Sequence, residues 1–364
     1  MFRRLKSIYN IRNGKSKFNV FLIYVFFAYM ILDQKIFTLI LNSNKNISIS
    51  VISTLEILLQ VITIVLEIPT GILGDNYSKK NILIISRVTM IIYSAIMLLS
   101  TNRIILAVAF ASLGIGEALV SGMEESFISD ITNSDDELLN KYMFFSTTNQ
   151  IATVIAVFVG GILINYNWKA IYIVMIATQI LSIYVLNKIE YEPVKKTHKH
   201  KLKEYVKQLL KIRTENLQWL KIGFWGSIFA AIYSVYTIYL PLFLSFKGIS
   251  SFYISIISCI QISLGFFLMT ALGKFAEQKF TKRICLIAII LFLFGLPFLL
   301  SDNIILLSIG SIVSSSFGIT FFPAITTLIN EGLRDEIRAT GNSLVNLLQT
   351  IFMCVAFTII GILI

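Results

Sequence analysis

Residues 48–100 read SISVISTLEILLQVITIVLEIPTGILGDNYSKKNILIISRVTMIIYSAIMLLS. Two apolar runs, 48–73 and 81–100, flank a short turn that ends in Lys79 and Lys80. At about 1.5 Å rise per residue, each run is long enough to cross a bilayer as a helix. Open strands are excluded there, because lipid offers no partner for backbone amides and a helix bonds each amide within its own segment. The stretch therefore reads as a hairpin of two membrane helices with a basic turn.

The same reading extends in both directions. The chain has 364 residues, of which 56% are hydrophobic and 14% charged, with a mean hydropathy of +0.80. A soluble domain carries about 25% charge. Eleven stretches are predicted to span the membrane: 18–41, 48–73, 81–100, 104–128, 142–165, 168–187, 217–246, 251–274, 283–300, 303–329 and 339–364. The predicted fold class is an all-α membrane protein. The basic start MFRRLKSIYNIRNGKSK precedes a long apolar run without a small-x-small cleavage pattern, so that run reads as a retained first span.

Basic residues orient the spans. The N-terminal tail, the even-numbered connections and the long loop around 188–221 together hold 25 Lys and Arg. The opposite side holds Lys45, Arg103, Lys169 and Lys247. The richer side is expected to be cytoplasmic, with the N-terminus inside a plasma or inner membrane. The net charge of +11 belongs to these loops, so nucleic acid is not an expected partner; the lipid bilayer is. Residues 188–216 form the one long loop, a cytoplasmic linker between an N-terminal bundle, 1–187, and a C-terminal bundle, 217–364, of five predicted helices. Such a split predicts an internal repeat.

Chemistry-bearing motifs are sparse. Cys259, Cys285 and Cys354 lie in apolar stretches without metal-ligand spacing, and His198 and His200 sit in the lysine-rich loop. No metal site, no cofactor and no enzyme activity is expected: no nucleophile–base pair or phosphate loop occurs, and Gly114-Ile115-Gly116 lies inside an apolar span.

The turn carries more. Residues 67–80 read E-I-P-T-G-I-L-G-D-N-Y-S-K-K. Gly71, Leu73, Gly74, Asp75, Lys79 and Lys80 resemble the loop-2/3 signature of the major facilitator superfamily, with Asn76 and Ser78 departing from it. Glycine is expected to let the helix end, turn and restart there. Gly273, Glu277, Lys282 and Arg283 repeat the spacing weakly in the second half. SGMEESFISD at 121–130 and Arg338-Ala339-Thr340 resemble segments of the branch with the E-x-P-T-G motif, which is multidrug-efflux-like. Gly160 and Gly161 resemble the end of an antiporter motif whose upstream part is missing, and Ser112 stands where drug antiporters carry an arginine. The resemblance implies a two-bundle fold around a cavity lined by helices 1, 4, 7 and 10, working by alternating access. That fold has twelve helices with both ends inside; here the twelfth is apparently missing, which implies a shortened sequence or a reduced variant.

Intramembrane carboxylates cost on the order of 2.5–3.5 kcal/mol by insertion scales, so they usually face a bundle interior. Asp33 is expected in the outer half, where it either couples protons or binds a cation, or snorkels to the interface. Glu56 is expected at similar depth and Glu117 near the midplane, where only a cavity offers water. Tyr233, Tyr236, Asn346 and Gln349 complete the expected proton-coupling and substrate cavity. Glu67, Gly71, Asp75, Lys79, Lys80, Glu125, Asp130 and Arg338 are expected to form the inner gate. These readings together predict a monomeric secondary transporter that exports a small organic, drug-like compound with protons as partner. An importer or facilitator of a sugar, amino acid or other metabolite remains open, as does a non-transporting sensor or immunity protein.

Overall fold

The computed structural model describes residues 17–132, 135–191, 218–273, 278–331 and 338–363. Its described residues form helices, turns and short connections. In chain order the helices are α1 (Lys17–Ala28), α2 (Phe37–Leu39, continued by a π-turn to Asn44), α3 (Ile49–Asn76), α4 (Lys79–Leu99), α5 (Arg103–Val120), α6 (Met123–Asp130) and α7 (Asp135–Asn187). There follow α8 (Gln218–Phe246), α9 (Ser251–Gly273), α10 (Gln278–Gly295), α11 (Ile304–Gly318), α12 (Phe321–Glu331) and α13 (Arg338–Leu363). Nine of the helical stretches are long and apolar enough to cross a membrane. One of these, α7, holds two predicted spans that part at Asn167, whose φ of −160° and ψ of 102° are not helical. The Asn167 side chain accepts from the Lys169 amide at 3.0 Å, as a helix-starting cap does.

Two other asparagines start helices in matching ways. The Asn102 side chain accepts from the amides of Ile104 and Ile105, and the Ser100 hydroxyl accepts from the Asn102 amide. The Asn303 side chain accepts from the Ile305 amide, and the Ser301 hydroxyl from the Asn303 amide. The surrounding sequences are LLSTNRIIL, 98–106, and LLSDNIILL, 299–307. The same cap thus opens the fourth and the tenth span.

Three predicted spans are interrupted rather than continuous. The first breaks between Ala28 and Phe37, the fourth at Ser121 and Gly122, and the tenth at Ile319 and Thr320. A fourth helix, α8 in the seventh span, contains Pro241, which lacks the amide a continuous ladder requires. Glycine also acts differently from expectation in the quoted turn. The α3 helix runs on through Gly71 and Gly74 to Asn76, and the chain turns at Tyr77 and Ser78 instead. Gly74 serves packing: a Cβ there would stand 2.4 Å from the Met123 side chain of α6.

Gly122 is the residue that needs its freedom. Its φ of +67° disfavours any side chain, while no atom lies within 4 Å of a Cβ built on it. Gly122→Ala is therefore expected to cost about 1–2 kcal/mol through the backbone alone. Chemical unfolding in detergent micelles measures this; a neutral result would mean that the break relaxes without penalty.

The chain divides into two compact units, Met1–Gln34 with Leu58–His200, and Lys35–Ile57 with Lys201–Ile364. The first unit has a core of Phe21, Tyr24, Val25, Leu83, Phe127 and Leu186. Within the second unit, Ala231, Val235, Met353 and Phe357 pack together, with Ile57 against them. Residues 35–57 thus belong with the second unit: the Thr38 hydroxyl donates to the Ile238 carbonyl at 3.4 Å, and the hydroxyls of Ser53 and Tyr239 are 2.7 Å apart.

Candidate functional site

The break in the first span sets the site in the first unit. In a continuous helix the Ala28 carbonyl would accept from the amide four residues on. Here it accepts instead from Arg87 Nη1 at 3.2 Å and Gln179 Nε2 at 3.1 Å. Asp33 lies inside the break and is buried, 2% exposed. Its carboxylate accepts from the Tyr93 hydroxyl at 2.7 Å, and the buried Tyr172 hydroxyl lies within interaction range. Asp33 does not reach solvent at an interface.

A second buried carboxylate of this unit is Glu124, 1% exposed. It accepts from Tyr24 at 3.1 Å and Tyr29 at 2.6 Å, and Arg87 is the cation that balances it. Its neighbour Glu125 is exposed, and its backbone carbonyl accepts from the Tyr142 hydroxyl.

Glu117 is different again. Leu106, Phe110, Leu113 and Glu117 recur at helical spacing on one face of α5. Leu106 and Phe110 are fully buried, Leu113 is partly so, and Glu117 is exposed. The opposite face carries exposed Ile104, Val108 and Ile115, a stripe suited to lipid. Glu117 is therefore reached from the face away from that stripe.

The turn after α3 is a clamp. Lys79, buried, pairs with Asp130 at 2.7 Å and donates to the Ser126 carbonyl at 3.1 Å. Tyr191 donates to the same Asp130 carboxylate. Partial burial and that carboxylate raise the Tyr191 phenol above its ordinary range. Lys80 donates to the carbonyls of Asn187 and Ile189 at the end of α7, where the helix dipole favours a cation. Glu67 is half-buried on α3. Gly71 lies within α3, and the side chains of Asp75 and Arg338 lie outside the described residues.

In the second unit, Asn346 and Gln349 line a cleft of about 210 Å³, shared with Ser227, Phe322, Thr326 and Asn342. The Asn342 amide donates to Asn330 at 2.8 Å. Tyr233 is placed by packing: it is buried, and its hydroxyl donates to the Ser315 carbonyl at 2.6 Å. The Tyr236 hydroxyl is buried beside Ser314 and Ser315. Glu56 is buried near Tyr239. At one end of the unit, Lys247 pairs with the exposed Asp302 at 2.8 Å and holds its carboxyl below its ordinary range.

Arg87, Gln179, Tyr24, Tyr29, Tyr93 and Tyr172 were not among the expected site residues. A signal for Arg87 exists in the sequence. The loops and span ends account for all but two of the 31 Lys and Arg, and the two deeper inside predicted spans are Lys35 and Arg87. An intramembrane cation demands a partner as much as a carboxylate does.

Residues 18–357 match the family model described as Major Facilitator Superfamily. Among curated proteins none matches the chain. Among solved structures, the nucleoside transporter NupG is similar with a TM-score of 0.77 and 14% identity, over 96% of this chain and 90% of that one. The xylose transporter XylE from E. coli, inward open, is similar with a TM-score of 0.73 and 14% identity, over 97% and 90%. A bacterial homologue of the human lysosomal transporter Spinster is similar with a TM-score of 0.66 and 15% identity, over 95% and 79%. At these identities the likeness is one of fold.

Proposed function

The chain belongs to the Major Facilitator Superfamily, and from that membership we propose that it is a secondary transporter coupling protons to export of a small organic compound. Alternating access between bundles 1–187 and 217–364, joined by the linker 188–216, is part of the proposal. So are a cytoplasmic N-terminus, a plasma or inner membrane, a monomeric state and the efflux-like branch. The observation that carries the coupling is the placement of Asp33: a carboxylate buried in a helix break, held by a tyrosine hydroxyl, with no cation bonded to it among the described residues. Such a group suits reversible protonation, whereas Glu124 has Arg87, Tyr24 and Tyr29 around it. Glu117, open on the face away from lipid, is the second proton-handling group.

One observation favours a different cargo. The cleft of the second unit mixes apolar side chains, Phe322, Ile325 and Val345 among them, with hydroxyls and amides, and has no ionisable side chain among its described lining residues. An ion entering it would meet no countercharge, so a neutral metabolite fits there better than a drug-like cation. The named substrates of the similar folds, a nucleoside and xylose, are of that neutral kind.

Purified protein in liposomes with an imposed pH gradient tests the proposal. Lipophilic cations, nucleosides and sugars are presented in turn while internal pH is followed with a trapped dye. Substrate-dependent proton movement supports coupling, and its direction relative to the substrate separates export from import. Uptake of a neutral solute without proton movement would replace the coupling claim by facilitation. Binding without flux would favour a sensor.

A further inference from the structure

The Ala28 carbonyl is an unusual acceptor. It ends α1, and the polar end of a half-helix inside a membrane needs a partner. Two side chains from different helices converge on it: Arg87 of α4 and Gln179 of α7, at 3.2 and 3.1 Å. Both are buried, with Gln179 fully so. A cation at a helix C-terminus is also stabilised by the helix dipole. Either donor alone would satisfy the carbonyl; two together compete against rewinding of the helix through Ala28.

What the break achieves lies five residues further on. In a continuous helix, Asp33 would stand about 140° around the axis from Ala28. In the unwound segment it is turned onto Tyr93 at 2.7 Å, beside Tyr172. Tyr93 belongs to the same helix as Arg87, and Tyr172 to the same helix as Gln179. One pair of helices therefore supplies both the donors that hold the break open and the Tyr93 hydroxyl that receives the carboxylate, with the Tyr172 ring close by.

We propose that Arg87 and Gln179 are positioning residues, which keep the first span broken at Ala28 and so deliver the Asp33 carboxylate to Tyr93. Neither touches Asp33; both act through the backbone of the break. The inference rests on the reading of Asp33 as the coupling group, and its test reads a hydrogen bond, so it stands or falls apart from transport.

The test uses the full chain in lipid nanodiscs and the infrared carboxyl band of Asp33, identified by its loss in Asp33→Asn. Tyr93→Phe gives the band position of an Asp33 that has lost its hydroxyl partner. Gln179→Leu and Arg87→Ala are each expected to move the band toward that position. Arg87→Lys, which retains a donor for the carbonyl, is expected to restore it. Arg87→Ala also strips Glu124 of its cation, so the pair Arg87→Met with Glu124→Gln removes both charges together and keeps the question open to measurement in a folded chain. A band that stays at its wild-type position in Gln179→Leu and in the charge-free pair, while Tyr93→Phe moves it, overturns the proposal. A shift in both supports it.

Discussion

Lys79→Ala is expected to lower the stability of the chain by about 3–5 kcal/mol, the cost of leaving one partner of a buried ion pair alone. The geometry makes this pair more than a surface contact. Lys79 Nζ and Asp130 are 2.7 Å apart, and their side chains are only 7% and 13% exposed. The ammonium also satisfies the Ser126 carbonyl, so its removal strands a carboxylate and a backbone acceptor together. Adding Asp130→Ala should return part of the loss, with a coupling of about 0.5–3 kcal/mol in a double-mutant cycle. Unfolding by guanidinium in detergent, followed by circular dichroism, reads all three variants. A single-mutant loss near 0.5 kcal/mol, typical of a surface change, would sink the clamp. Tyr191 adds a pH signature. Its phenol is raised in the folded chain, so its contribution is intact below the unfolded value of about 10 and fades as pH rises beyond it. Tyr191→Phe should abolish that alkaline decline.

Asp33→Asn is expected to reduce proton movement in loaded liposomes to the level of empty ones, while the protein still folds and binds. Asparagine keeps the size of the side chain and can still accept from Tyr93, so the break need not collapse. What it loses is the exchangeable proton. Glu117→Gln is expected to slow transport and keep the coupling ratio, if Asp33 carries the proton and Glu117 hands it on. Equal loss in both variants would make them a joint carrier. Full proton coupling in Asp33→Asn would remove Asp33 from the mechanism. Counterflow of substrate without a pH gradient separates binding from coupling in each case, because exchange needs alternation but no net proton movement.

Much of the fold is legible from hydropathy, because a membrane helix must be long, apolar and internally bonded. The parting of α7 at Asn167 falls between two predicted spans for that reason. The breaks in the first, fourth and tenth spans are not legible in this way. Residues 29–36 carry a polar run, Asp33-Gln34-Lys35, inside an otherwise apolar span, but the donors that meet the broken end are more than fifty residues away in sequence. Glycine misleads in the loop-2/3 motif because the same residue serves a turn or a close approach, and only the Met123 side chain against Gly74 decides between them. The carboxylates are visible one by one in the sequence, but their partners are not. Glu124 and Glu125 are adjacent and identical in type; the helix phase that buries the first and exposes the second depends on the break at Gly122.

The matching caps at Asn102 and Asn303 mark equivalent places in what reads as one ancestral half, duplicated. Carrying their register along the neighbouring helices sets Arg87 against Ala288, Glu117 against Gly318 and Glu124 against Ile325. At each of these places the first copy holds a charge and the second holds none. On the proposed function, one copy would hold the ionisable machinery and the other a cleft without ionisable side chains among its described lining residues. Such a division of labour would let mutations in the second copy retune which compound is carried without disturbing how its movement is driven.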